Sequence, residues 1–298
     1  MMGKLMVDSV VLWATQYGID SFRFDLMAHQ PRAVMEALQA RVNTATGRHI
    51  NLIGEGWNFG EVADGARFVQ ASQLSLNGSG IATFSDRARD AVRGGSAGDN
   101  GDAQVRNQGY TNGMVYDRNA LSTATPEDLL RTADLVRVGL AGTIRGYEMQ
   151  TYTGQRKKLS DIDYAGQPAG YASQPGEVAN YVENHDNQTL YDNNVFKLPV
   201  GTSTAVRARA QVLAMAINTF SQGIAYSHAG TEILRSKSMD RNSYDSGDWF
   251  NRLDWTYQTN HFGTGLPPRA DNAASWPLMQ PLLADASLRP APADIAFT

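Results

Sequence analysis

The sequence predicts an α/β fold built around a parallel sheet. Two observations carry this reading. Helix-period and strand-period segments alternate along the chain. Each cluster of chemistry-bearing polar residues also follows directly on an apolar strand, and both barrels and open doubly wound sheets place their sites there.

Taken in order, residues 4–17 set Val7, Val10, Val11, Ala14 and Tyr17 on one helical face, with Gly18 placed to stop the helix. In 21–27, Phe22, Phe24 and Leu26 alternate with Ser21, Arg23 and Asp25, which is a strand whose polar face ends in charge. Pro31 suits the first turn of a second helix carrying Val34, Leu38 and Val42. The short apolar run 49–53 is a second strand and ends in Gly54-Glu55-Gly56-Trp57. Loops follow, with 94–102 the most flexible in composition. A helix from Thr125-Pro126 to Gly142 carries Leu129, Ala133, Val136 and Leu140 at helical spacing. Residues 178–183 form a strand that runs into Asn184-His185-Asp186-Asn187. A helix over 203–221 is expected to turn Leu213, Ile217 and Phe220 inward, and 224–226 begins a strand toward His228. Beyond 230 the chain reads as loop, because Pro267-Pro268 and Pro290 to Pro292 oppose helix.

Composition narrows the function. The chain has 298 residues, 42% of them hydrophobic, and a net charge of -4. A nucleic-acid surface needs a basic excess, so nucleic acid is not an expected partner. Cysteine is absent, which excludes disulfides and thiolate sites. No run of 18 apolar residues occurs, so no membrane span is expected. The first 20 residues lack the shape of an export signal, and the compartment stays open. Gly94 to Gly98 fits G-x-S-x-G formally, but a charged stretch precedes it where that motif needs an apolar strand.

Three carboxylates remain. Asp25 stands two residues after Arg23, which in a strand puts both on one face. Taken alone, the pair reads equally well as a structural ion pair. Glu55 lies between two glycines that let backbone and ligand approach closely, and Trp57 offers a flat apolar face for a sugar ring. Asp186 sits in a polar cluster at a third strand end. Carboxylates on three strand ends converge at one mouth of a barrel. Glycoside hydrolysis needs two carboxyl groups, about 5–5.5 Å apart when configuration is retained. Asp25 as nucleophile and Glu55 as acid/base is the resulting hypothesis.

The segments GIDSFRFDLMAHQP, LIGEGWNFGEV and YVENHDNQTLYD resemble the second, third and fourth signature regions of the α-amylase family of glycoside hydrolases. FSDRARDAVRGG, DIDYAGQPAGY and EILRSKSMDRNSYDSGDWFN are similar to the pullulanase and limit-dextrinase debranching enzymes within it. The resemblance implies a retaining hydrolase of α-1,6 branch bonds, with a branched α-glucan as substrate partner. It matches Asp25 to the nucleophile, Glu55 to the acid/base and Asp186 to the carboxylate that stabilises the transition state. Arg23 and His185 match residues that hold the cleaved sugar. Asp248 and Arg252 resemble residues binding the neighbouring glucose, and Trp57 an aromatic that stacks on one. His29 is a candidate to line the site, or else to start a helix. No cofactor is required; a structural calcium is implied only loosely, and although Asp99, Asp102, Asp245 and Asp248 lie in suitable loops, no ligand is assigned.

The resemblance also makes 21–26 the fourth of eight barrel strands. The family's first signature region, the units before that strand and the C-terminal β-domain have no counterpart. The expectation is therefore a partial (β/α)8 barrel, strands 4 to 8 with long βα loops, as one incomplete catalytic domain over 1–298. Low stability and little activity would follow. The alternatives are a glucan-binding module without turnover and a relative acting on α-1,4 links.

Overall fold

The computed structural model describes residues 2–298. The elements run α1 (Met2–Gln16), β1 (Ser21–Phe24), α2 (Arg32–Thr46), β2 (Asn51–Gly54), β3 (Ala82–Phe84), α3 (Asp86–Arg93), α4 (Asp102–Arg106) and α5 (Pro126–Leu140). Next come β4 (Glu148–Gln150), β5 (Arg156–Lys158), β6 (Asp163–Tyr164), β7 (Gln167–Pro168) and β8 (Val178–Asn180). The chain ends with α6 (Leu190–Lys197), α7 (Thr204–Phe220), β9 (Ile224–Ala225), α8 (Arg269–Asn272), α9 (Trp276–Ala284) and α10 (Pro292–Phe297).

The main sheet has five strands in the order β1-β2-β3-β8-β9, and every pair is parallel. The order never reverses. A doubly wound sheet must reverse at its switch point, so the winding is that of a partial α/β barrel. The pairs β4–β5 and β6–β7 are small antiparallel hairpins inserted between α5 and β8.

Apolar periodicity explains the packing. Val10 and Ala14 of α1 meet Met35, Leu38 and Val42 of α2 over Ile50 and Leu52. Each such side chain contributes about 1.5–3 kcal/mol when fully buried. A second core gathers Tyr191, Val195 and Phe196 of α6 with Leu234, Met279 and Leu283. Thr125 caps α5 in a reciprocal box with Asp128.

Several expectations need correction. Tyr17 lies past the end of α1 and is exposed, so the buried face stops at Ala14. The first strand ends at Phe24 rather than Met27, because Leu26 adopts a left-handed turn (φ 47°, ψ 40°). In α7, Leu213 and Phe220 face solvent, at 46% and 76% exposure. The buried face of α7 carries Ala208, Gln211, Ala214 and Asn218, whose smaller or polar side chains fit a close approach and a hydrogen bond from Gln211 Nε2 to the Thr231 carbonyl at 2.9 Å. The region after 230 is not all loop. Pro268, Pro277 and Pro292 stand at the starts of α8, α9 and α10, where a missing N–H costs nothing. Strand β3 was hidden in a segment read as loop. No described helix is long and apolar enough to cross a membrane.

Candidate active site

The ends of β1, β2 and β8 deliver the three carboxylates to one place. Glu55 follows β2 directly and is held from three sides. Its N–H donates to the Phe24 carbonyl at 3.1 Å, its carbonyl accepts from Ala28 N at 2.9 Å, and its Oε2 accepts from Leu26 N at 2.8 Å. The left-handed turn at Leu26 is what aims that last N–H. Gly54 makes the close approach possible, since a Cβ there would sit 2.7–2.8 Å from Met27 Sδ and the Phe24 carbonyl.

Arg23 bridges two carboxylates. Its Nη1 donates to Asp25 Oδ1, and its Nη2 lies 3.1 Å from Glu55 Oε1. Nε and Nη2 have no hydrogen-bond partner within the described residues. Across the gap, His185 Nε2 lies 3.6 Å from Asp25 Oδ1 and 3.5 Å from Asp186 Oδ1. Arg23, Asp25, Glu55, His185 and Asp186 therefore form one continuous cluster. The two candidate reacting groups differ sharply in setting: the Asp25 side chain is 63% exposed and that of Glu55 4%.

Glu55, Trp57 and Asp186 line a cleft of about 930 Å³. Trp57 is half-buried, with the Arg89 guanidinium 5.9 Å from its ring centroid. His29 stands behind this wall, its ring edge-on to Phe59 at 4.9 Å. Asp248 and Arg252 are placed elsewhere, on a short turn outside the residues lining the cleft. There Arg252 covers the Trp249 ring at 4.9 Å and reaches His261 Nδ1 at 2.9 Å. Among the described residues no three acidic or histidine side chains gather as a metal-binding group, so Asp99, Asp102, Asp245 and Asp248 are not brought together.

Sequence reasoning missed part of the site. Arg89, Asp86 and Tyr181 also line the cleft. Arg89 Nε holds Asp90 at 2.7 Å, and its Nη1 meets the Tyr181 hydroxyl. Burial raises Tyr181 to a pKa of about 12, against the lowering influence of Arg89, so Tyr181 stays neutral. The available signal was the density of charge in the short stretch 86–93, too polar for a surface helix with nothing to pair with. Glu183 was also missed. It is buried beneath the His185–Asp186 turn, taking hydrogen bonds from Thr231 Oγ1 at 2.6 Å and from Leu190 N, with His228 Nδ1 at 3.1 Å. Burial opposes its ionisation, but these partners together outweigh it and hold its pKa below the ordinary value. Lys237 Nζ ties down the same turn through the His185 carbonyl at 2.8 Å.

Strand-end carboxylates bridged by arginine, beside an aromatic-walled cleft on a barrel-type sheet, are an arrangement that glycoside hydrolysis can use. Known proteins agree. The family model for pullulanase-type alpha-1,6-glucosidases, C-terminal, matches residues 257–298. Over 310 residues the chain is 42% identical to chloroplastic pullulanase 1 of Arabidopsis thaliana, an alignment covering all of this chain and 32% of that one. It is 44% identical over 276 residues to the pullulanase of Klebsiella pneumoniae, covering 93% of this chain and 25% of the relative. The crystal structure of Klebsiella pneumoniae pullulanase complexed with maltotriose superimposes with a TM-score of 0.94 at 41% identity, over 99% of this chain and 28% of that chain. The pullulanase from Bacillus acidopullulyticus aligns less closely, with a TM-score of 0.65 at 25% identity. The chain is a pullulanase homologue along nearly its whole length, and it spans about a third or less of the length of the relatives it matches.

Proposed function

We propose that this chain carries the catalytic centre of a retaining hydrolase of α-1,6-glucosidic branch bonds in pullulan, amylopectin or limit dextrins. Its five strands then correspond to strands 4 to 8 of a (β/α)8 barrel. The observation that carries the reading is the Arg23 guanidinium joined to both Asp25 and Glu55, with His185 and Asp186 facing them.

The geometry supports the following roles. Asp25 is solvent-exposed and oriented by Arg23, so in this reading its carboxylate attacks the anomeric carbon. Glu55, buried and fixed by Leu26 N, gives a proton to the departing O6. The glycosidic C–O bond breaks as the ester to Asp25 forms. Glu55 then takes a proton from water, whose oxygen attacks the same carbon and releases Asp25. Two inversions leave the configuration retained. Asp186 and His185 hold hydroxyls of the reacting sugar, and Trp57 stacks on a glucose ring. Asp248 and Arg252 contact a neighbouring glucose once a longer substrate spans from the cleft to their turn.

Pullulan tests this. Release of maltotriose with retained anomeric configuration is the expected result, whereas an α-1,4-acting enzyme leaves those α-1,6 bonds intact. Glu55→Gln lowers turnover by roughly 10²–10⁴, and Asp25→Asn by at least as much. Full turnover in either variant refutes the assignment. Glucan binding without any release of reducing ends supports the non-catalytic module instead.

A further inference from the structure

A small cavity of about 20 Å³ lies between α3, α6 and the loop over 94–99, with room for one water-sized sphere. Arg93, Gln188 and Lys197 line it, and all three are buried. Among the described residues neither cation forms an ion pair, and both donate to backbone carbonyls alone. Arg93 reaches the Val182 carbonyl at 3.3 Å and that of Gln188 at 3.2 Å, both long for a guanidinium. Lys197 Nζ spends two of its three protons, on the Gln104 and Asn107 carbonyls. The buried Gln188 Nε2 has no hydrogen-bond partner within the described residues.

The two carboxylates on the wall are engaged elsewhere. Asp90 meets Arg89 Nε at 2.7 Å and accepts from the Tyr164 hydroxyl at 2.6 Å. Asp99 accepts from Ser96 Oγ at 2.9 Å and from Asn107 Nδ2 at 2.8 Å. With Arg89 included, three cations and two carboxylates line the cavity, an excess of one positive charge. Buried charges are normally paired, because solvation lost on burial must be replaced. Burial, with Arg89 nearby, lowers Arg93 to a pKa of about 10, the direction of a cation short of counter-charge.

We propose that this cavity binds one halide-sized monovalent anion, held by the Arg93 guanidinium, the Lys197 ammonium and the Gln188 amide. Phosphate and sulfate are too large for the space. A water would serve the Gln188 Nε2 but would leave the charge unbalanced. None of Asp25, Glu55 and Asp186 lines the cavity. Its anion joins α3 and α6 to Gln188, so it braces the scaffold behind the 184–189 turn. The inference stands apart from the reaction proposed above.

Chloride is the probe, exchanged for gluconate at constant ionic strength. Melts of the full chain at about pH 6 keep Lys197 charged, below the pKa of about 7 that burial gives it. The Tm is expected to rise saturably with chloride, by roughly 5 °C at a hundred-fold excess over Kd. Gln188→Leu weakens the apparent Kd for chloride about ten-fold, and Lys197→Met abolishes the response. Crystals of the unaltered chain soaked in sodium bromide are expected to show an anomalous peak in the cavity. Equal Tm in chloride and gluconate overturns the proposal. So does a rise that never saturates and is the same in both variants, or a cavity occupant without anomalous signal, which is a water. If Lys197→Met fails to fold, Gln188→Leu decides alone.

Discussion

Leu26 shows how one residue sets the site. Its left-handed backbone costs a side-chain-bearing residue about 1–2 kcal/mol, yet that turn is what presents its N–H to Glu55. Strain kept at such a position is commonly tied to function. Leu26→Gly relieves it, so the melting free energy is expected to rise by about 1 kcal/mol. The backbone N–H that holds Glu55 is kept but sits on a looser turn, so kcat on pullulan falls while KM changes little. Denaturant melts and steady-state kinetics on the same preparation check both halves; a variant that gains stability with kcat unchanged removes the positioning argument. At this scale the site was partly legible. Arg23, Asp25, Glu55 and Asp186 are found by alternation and strand-end position, and the structure brings them together. Glu183 was not legible, since only the tertiary fold places His228 and Thr231 around it.

At the scale of elements, the loop over 94–107 is bound to α6 by a buried lysine. Lys197 Nζ donates to the carbonyls of Gln104 at 2.9 Å and Asn107 at 2.8 Å. Burial, with Arg93 nearby, lowers its pKa to about 7. The folded state therefore holds fewer protons than the unfolded chain from about pH 7 up to the ordinary lysine range. Stability climbs as pH rises through that window, and the full penalty of the buried charge is present below it. Lys237, lowered by burial to about 8, adds to the same trend. The Tm should increase between pH 7 and 10, and Lys197→Met should flatten that slope. An equal slope in the variant means the lysine is not its source. Ala97 and Gly98 of this loop line the cleft, so the link also bears on the site. Helices with a clean apolar stripe, α1, α2 and α5, were read correctly to within about two residues. β3 escaped because Ala82-Thr83-Phe84 is too short to show a period, and α8 to α10 because proline was read as a breaker where it is a starter.

For the whole molecule, the five strands stop short of closure: within the described residues β1 and β9 each pair on one side only. The helices that precede these strands carry bare apolar side chains, Leu12 and Trp13 on α1, Leu213 and Phe220 on α7. The accessible surface is 13863 Å², whereas a compact monomer of this mass exposes roughly 12,400 Å². Open parallel edges flanked by apolar helices favour self-association. Sedimentation of the isolated chain should show a mean mass that rises with concentration in the micromolar range, and Trp13→Lys with Phe220→Lys should reduce it without lowering Tm. A strictly monomeric chain contradicts this expectation. The winding itself has a further result, in time rather than space. As the polypeptide leaves the ribosome, β2 and β3 each find a partner that has already been made. The next pairing, Thr83 with Val178, must wait for 95 more residues and close the longest loop in the sheet. Vectorial assembly should therefore pause once, with the nucleophile and acid side already formed and the Asp186 side still to arrive.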